Sequence, residues 1–144
     1  MKIGMLVDSW GTVDQTPEDE YLTMENIISN ALTKDINCEF KHDVLPDDLV
    51  DSRYDIYVFD YGAVGLMGAG GYLRSFMRTL IKVAEEQPNI LIILWSNFTA
   101  LEYINLINVE LNIEQLEGYY PNIWIMVSVD QRLTLAAKFK DWFC

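Results

Sequence analysis

The chain has 144 residues, 51% of them hydrophobic, which is enough for one domain with a single buried core. Its 22 acidic and 10 basic residues give a formal net charge of −12, which disfavours direct binding to nucleic-acid phosphates or anionic lipids. The longest apolar runs fall far short of the roughly 20 residues that a membrane-spanning helix needs. We therefore expect one soluble, cytoplasmic domain over residues 1–144, with no membrane association. The two cysteines, Cys38 and Cys144, suit a reducing compartment.

The negative charge is concentrated in the first part of the chain. Residues 1–60 contain 14 acidic and 4 basic residues, whereas residues 61–144 contain 8 acidic and 6 basic ones. Such an acidic half predicts attraction to a protein partner with a basic surface. The alternative explanation is that the charge only keeps an acidic protein soluble.

The first half of the chain predicts three strands and one helix. Residues 2–8 form a nearly continuous apolar run, typical of a strand covered on both faces. Thr16 and Pro17 then begin a helix whose apolar residues recur at helical spacing, namely Tyr21, Met24, Ile28, Ala31 and Leu32. Residues 37–45 predict a more polar strand near an edge of the sheet, and residues 55–60 a third strand.

The second half continues this alternation. A glycine-rich loop over residues 62–71 precedes a strongly amphipathic helix, which Pro88 terminates and whose apolar residues are Leu73, Phe76, Met77, Leu80, Ile81 and Ala84. Residues 90–95 predict the most apolar strand, and residues 96–99 can cap a further helix reaching about Asn108. Residues 122–129 predict a fifth strand. A final helix follows, with Leu135, Phe139, Trp142 and Phe143 on its packed face.

Strands that alternate with helices predict a mainly parallel sheet with helices on both faces. Five strands in a chain of this length fit a three-layer α/β/α sandwich with the flavodoxin-like strand order 2-1-3-4-5. Ligands of such sheets bind beyond the carboxyl ends of the strands, beside the switch point between the first and third strands. The residues that end each strand are therefore the candidates for a site.

Four polar residues stand at these strand ends: Asp8, Asp60, Ser96 and Asp130. Asp8, Asp60 and Asp130 carry the oxygen ligands that Mg²⁺ prefers, so they are candidate metal ligands. Asp8, Asp60 and Ser96 are candidate catalytic residues, because a carboxylate beside a metal ion can attack phosphorus. The alternative is that each aspartate starts a turn or caps a helix. Mg²⁺ is thus the metal cofactor that these strand ends suggest.

The segment YDIYVFDYGAVGLMGAGGYLRSF, residues 54–76, resembles the receiver domain of response regulators. Receivers have a hydrophobic strand that ends in the phospho-accepting aspartate and is followed by a glycine-containing loop and an amphipathic helix. The resemblance implies that Asp60 is the acceptor, Asp8 a metal ligand and Ser96 the switch hydroxyl. In topology it extends over most of the chain.

A second resemblance concerns phosphatases of the haloacid-dehalogenase type. Their first motif is similar to MLVDSWGTV, residues 5–13. Their second motif is similar to ILWSN, residues 93–97, and their fourth to VSVDQ, residues 127–131. This resemblance implies that Asp8 is the nucleophile, that Ser96 binds phosphate and that Asp130 is a metal ligand.

Departures from both patterns favour an interaction module over an enzyme. Receivers have a pair of acidic residues after the first strand, where this chain has Asp8 followed by Ser9 and Trp10. They also have a lysine where this chain has Asp130, and an aspartate there would repel a phosphoryl group. In the phosphatase pattern Trp10 replaces the general acid, and an indole cannot transfer protons. The sequence therefore predicts a non-enzymatic regulatory module, with phosphotransfer as the alternative.

The glycine-rich loop is a candidate binding segment, through Gly62, Gly65, Leu66, Met67 and Gly68. Leu66 and Met67 would present an apolar knob to a partner. The alternatives are binding of FMN or a nucleotide, with its phosphate at the start of the following helix, and a simple flexible loop. A basic stripe on that helix, Arg74, Arg78 and Lys82, is typical of a solvated face, with self-association and anion binding as the alternatives. His42 has no serine or cysteine at a recognisable spacing, which argues against a histidine-based triad.

Overall fold

The computed structural model describes residues 1–6, 17–32, 36–60, 70–95, 120–126 and 134–143. Within these ranges there are five strands, three α-helices and one 3₁₀ helix. In chain order they are β1 (Lys2–Leu6), α1 (Pro17–Ala31), β2 (Glu39–Lys41), the 3₁₀ helix (Pro46–Leu49), β3 (Ile56–Asp60), α2 (Gly70–Glu86), β4 (Leu91–Trp95), β5 (Ile123–Met126) and α3 (Leu135–Phe143).

The five strands form one sheet in the order β2-β1-β3-β4-β5, and every pair is parallel. This is the predicted flavodoxin-like order, and it confirms the α/β fold class. The first strand of the chain lies inside the sheet, between β2 and β3. All five residues of β4 are buried, as its unbroken apolar sequence predicts for an inner strand covered on both faces.

Each face of the sheet has its own hydrophobic core, because successive strand residues point to opposite faces. On one face Met5, Val58 and Ile93 pack against α1 and α3. On the other face Tyr57 and Phe59 pack against α2 and the 3₁₀ helix. The two cores with the sheet between them make up the three layers that the sequence predicts.

The amphipathic patterns of α1 and α2 place the expected residues in these cores. Tyr21, Met24 and Ile28 of α1 are buried, and so are Met77 and Leu80 of α2. The packed face predicted for α3 is correct for Leu135 and Phe139. It is wrong for Phe143, which is 40% exposed because the helix ends there, beyond the edge of the core.

The second strand is shorter than predicted. Residues 37–45 predict one strand, whereas β2 contains only Glu39–Lys41. Pairing stops because Asp43 adopts a left-handed backbone conformation with a φ of 56°, which turns the chain away from the ladder. The Val44 N–H then donates to the carbonyl of Met5 (3.0 Å), so the segment after β2 stays attached to β1.

Two polar side chains connect elements at the amino ends of the strands. The Asp55 carboxylate accepts a hydrogen bond from the Lys2 backbone N–H (2.8 Å), and the Asp55 carbonyl accepts one from Leu91 (3.0 Å). The buried Asn122 amide donates to the carbonyls of Ala84 (3.1 Å) and Gln87 (3.2 Å). Asn122 thus satisfies carbonyls at the carboxyl end of α2, where helical partners are missing.

Candidate functional site

Asp60 is the one predicted catalytic or metal-binding residue that lies within the described part of the chain. It is the last residue of β3, is partly buried and pairs in register with Trp95 of β4. Because it alternates with Ile56 and Val58, it points to the face covered by α1 and α3. The predicted position at the carboxyl end of an inner strand is confirmed. The other candidates lie outside the described residues, namely Asp8, Ser96, Asp130, Gly62, Gly65, Leu66, Met67 and Gly68.

The strands end nearly level at this edge of the sheet. Leu6 pairs with Phe59, one residue before the end of β3, and Trp95 pairs with both Asp60 and Met126. Side chains at the ends of β1, β3, β4 and β5 are therefore adjacent along one edge. This is the edge at which ligands bind in folds of this type.

A cluster of polar and aromatic side chains extends this edge beyond β2. The His42 ring, directly after β2, stacks on the Tyr21 ring of α1 with a centroid distance of 4.0 Å and an interplanar angle of 6°. His42 Nε2 lies 2.5 Å from Glu25 Oε1. The Tyr21 hydroxyl donates to Asp43 Oδ1 (2.9 Å) and accepts from the Asp43 backbone N–H (2.9 Å). The cluster joins α1 to the chain after β2.

Glu25 fixes the orientation of the His42 imidazole, whose side chain remains 44% exposed. An oriented, exposed imidazole can exchange protons or hydrogen-bond with a bound molecule. The sequence shows that Asp43 neighbours His42, but the carboxylate that contacts the ring comes from α1. The available signal was the spacing of Tyr21 and Glu25, which are four residues apart and therefore neighbours on the helix surface.

An acidic strip follows the cluster along the chain, from Asp43 to Asp55. It contains five exposed aspartates, Asp43, Asp47, Asp48, Asp51 and Asp55, and one basic residue, Arg53. Just ahead of it, Glu39 forms an ion pair with Lys41 (3.0 Å), and this contact lowers the pKa of the Glu39 carboxyl. Within the strip itself, five carboxylates and one guanidinium group leave an excess of negative charge.

Four of the five carboxylates are held in place by hydrogen bonds within the protein. Asp43 accepts from Tyr21, and Asp55 from the Lys2 backbone. Asp47 accepts from the Thr79 hydroxyl of α2 (3.3 Å), and Asp48 from the Leu45 backbone N–H (2.9 Å). A carboxylate has room for several donors, so each remains able to accept more from a partner.

The backbone of the strip is also anchored to the core. The buried Tyr57 hydroxyl donates to the Val44 carbonyl (2.6 Å), and the Gln87 amide donates to the Leu49 carbonyl (2.7 Å). Leu49 itself is fully buried. Between these anchors Leu45 and Val50 are each 44% exposed. The strip therefore combines fixed carboxylates with two exposed apolar side chains.

A polar cavity of 510 Å³ opens at one end of the strip. It lies between residues 50–55 and residues 86–90, at the amino ends of β3 and β4. Its lining includes three acidic residues, Asp51, Asp55 and Glu86, and one basic residue, Arg53.

No family model, curated protein or solved structure matches this chain. Within the described ranges no three histidine, cysteine, aspartate or glutamate side chains are grouped so as to hold a metal ion. No helix in those ranges has the length and apolar character needed to cross a membrane.

Proposed function

We propose that this protein is a non-enzymatic regulatory or interaction module on a receiver-like scaffold, and that its acidic strip binds a basic surface of a partner protein. The observation that carries the proposal is that four exposed carboxylates of the strip are fixed by internal hydrogen bonds. Fixed groups lose little conformational freedom when a partner binds, so more of the interaction energy contributes to affinity.

The apolar residues of the strip add to this electrostatic attraction. Leu45 and Val50 project from the ends of the 3₁₀ helix and are bordered by Asp47, Asp48 and Asp51. Interfaces between proteins combine an apolar centre with a polar rim, and charge complementarity raises the association rate and excludes wrong partners. A partner surface with apolar residues among lysines or arginines matches this pattern, whereas nucleic-acid phosphates are repelled.

The cavity beside the strip offers space for one of the partner's basic side chains. Asp51 belongs to both the strip and the cavity lining, and Val50 stands at their junction. Three acidic residues and one arginine line the cavity, so it would attract a lysine or arginine side chain more than an acidic one.

The test compares two double variants with the same change in charge. Asp47→Lys/Asp51→Lys reverses the strip, and Glu18→Lys/Asp141→Lys reverses two exposed acidic residues outside it. Partners are captured from the source cells on the wild-type protein and purified, and each Kd is measured at several salt concentrations. We expect the strip variant to raise the Kd at least tenfold and the control variant to change it less than twofold.

Two results would contradict the proposal. In the first, the strip variant binds the purified partner as tightly as the wild-type protein does. In the second, both variants lose binding equally, which would mean that net charge rather than the strip attracts the partner. Circular dichroism of each variant establishes that it is folded.

Metal-dependent phosphotransfer is a second candidate function, and the position of Asp60 favours it. Asp60 ends an inner strand at the ligand-binding edge, where a receiver-like acceptor belongs. The test is Mg²⁺-dependent uptake of BeF₃⁻ followed by ¹⁹F NMR, which Asp60→Asn should abolish. Asp55→Asn, at the opposite end of β3, is the matched control. If the chain instead uses Asp8 as a phosphatase nucleophile, Asp8→Asn removes phosphatase activity. Absence of both activities excludes this candidate.

A further inference from the structure

An apolar groove lies between α1 and α3, on the face of the sheet opposite α2. Its volume is 570 Å³, within the range of roughly 300 to 1,000 Å³ that is typical of small-molecule sites. Its lining consists of Ala31, Leu32, Ile36, Ala136, Phe139, Lys140 and Phe143. Every one of these side chains except that of Lys140 is purely hydrocarbon.

Part of this apolar lining is left in contact with solvent. Phe143 is 40% exposed at the rim, whereas Phe139 and Leu32 form the buried side of the groove. Apolar surface that faces water in a concavity favours an occupant with an apolar body, because its burial removes that surface from water.

Lys140 determines the charge that the occupant should carry. Its ammonium group has no ion pair or hydrogen bond with any residue that the structure describes, although the chain contains 22 acidic residues. No acidic residue is found among the described lining. An anionic group at the rim would therefore meet one cation and, among the lining residues that the structure describes, no carboxylate.

We propose that this groove binds a medium-chain aliphatic carboxylate, with its hydrocarbon chain between α1 and α3 and its carboxylate beside Lys140. The hydrocarbon chain supplies the apolar surface that the walls can bury. The carboxylate forms a partly exposed ion pair with the ammonium group, which adds specificity more than affinity. This ligand site is independent of the acidic strip, which has no residue in the groove.

The test measures binding of decanoate and of its neutral analogue 1-decanol, below their aggregation concentrations. Titration calorimetry gives the affinities, and methyl NMR shifts of Leu32, Ile36 and Ala136 locate the ligand. We expect one saturable decanoate site, with decanol weaker than decanoate by about threefold, the size of an exposed ion pair.

Three variants separate the contributions. Lys140→Met retains an apolar stem and should remove the preference for decanoate over decanol. Ala136→Phe fills the groove from an exposed helix position and should abolish binding of both compounds. Lys82→Met, on α2 across the sheet, removes the same charge and should change neither affinity.

Three outcomes would overturn the proposal: no saturable binding of decanoate, decanol and decanoate binding equally well to the wild-type protein, or undiminished binding by Ala136→Phe. Self-association that Ala136→Phe abolishes, without decanoate binding, would assign the groove to a second copy instead. Sedimentation velocity of the wild-type protein and of Ala136→Phe distinguishes this last case.

Discussion

Replacing Tyr57 by phenylalanine tests whether the acidic strip is anchored as described. The ring of Tyr57 is fully buried, and its hydroxyl donates to the Val44 carbonyl at 2.6 Å. Tyr57→Phe preserves the ring and removes this donor. The Val44 carbonyl would then be left without it in a buried environment.

The expected loss follows from the cost of an unsatisfied buried acceptor. Removing one partner of a buried hydrogen bond costs about 1 to 3 kcal/mol, more than the net contribution of the bond itself. For a chain of this size, a loss of about 2 kcal/mol lowers the Tm by about 4 to 8 °C. The same loss lowers the urea midpoint by about 1 M if the m-value is near 2 kcal/mol/M.

Urea denaturation measures the loss, and Tyr54→Phe is the matched control. Tyr54 is partly buried, its ring lies 4.4 Å from the Lys2 ammonium group, and its hydroxyl has no hydrogen bond within the described residues. We expect the control to lose less than about 0.5 kcal/mol, because that hydroxyl has no buried partner. Equal losses in the two variants, or no loss in Tyr57→Phe, would refute the anchoring role of the Tyr57 hydroxyl.

Three further predictions concern the stability of the domain. Burial raises the pKa of Tyr57 well above its usual value, so the folded protein keeps a proton that the unfolded chain releases above about pH 10. Above about pH 10 the free energy of unfolding should therefore fall with rising pH, by up to about 1.4 kcal/mol per pH unit. Urea titrations at several pH values measure this fall, and Tyr57→Phe should remove the contribution of Tyr57 to it. Gly4→Ala would place a Cβ 3.0 Å from Tyr54 Cε1 and 3.3 Å from Tyr57 Cδ2. We therefore expect the free energy of unfolding to fall by about 1 to 3 kcal/mol, and the second substitution Tyr54→Leu to restore part of it. An unchanged thermal midpoint in Gly4→Ala would contradict this crowding. Asn122→Ala removes the buried donor to the end of α2 and should cost about 1 to 3 kcal/mol in urea denaturation, with an unchanged urea midpoint as the contrary result.

The fold was predictable because its strands and helices have unambiguous local patterns. Residues 90–95 form an apolar run too short for a helix of normal length, and Leu91–Trp95 form a strand buried on both faces. The helical spacing of Met77 and Leu80 places both in a core. The end of β2 was harder to predict, because it depends on the backbone of Asp43 and on its hydrogen bonds to Tyr21, 22 residues away.

The candidate site was predictable only in part, because some of its features depend on local sequence and others on contacts between residues far apart in the chain. The position of Asp60 follows from the end of an apolar run, which is a local signal. The contact of His42 with Glu25 joins residues 17 apart, and the hydrogen bond from Thr79 to Asp47 joins residues 32 apart. Such contacts depend on how helices pack against the sheet, and the spacing of Tyr21 and Glu25 shows only that these two side chains share one helix face. The bond from the Leu45 N–H to Asp48 is local and is typical of a helix start.

The inner position of β1 has a consequence for synthesis of the chain. β1 is translated before both of its neighbours, and its pairing with β3 joins Ile3 to Ile56. At about 5 to 20 residues per second, the ribosome needs about 3 to 11 seconds to add the intervening segment. Until β2 and then β3 have been made, the nascent strand has unpaired edges and an apolar sequence, which favours aggregation. We therefore expect the yield of folded protein to depend on chaperones that shield the first strand until β3 emerges.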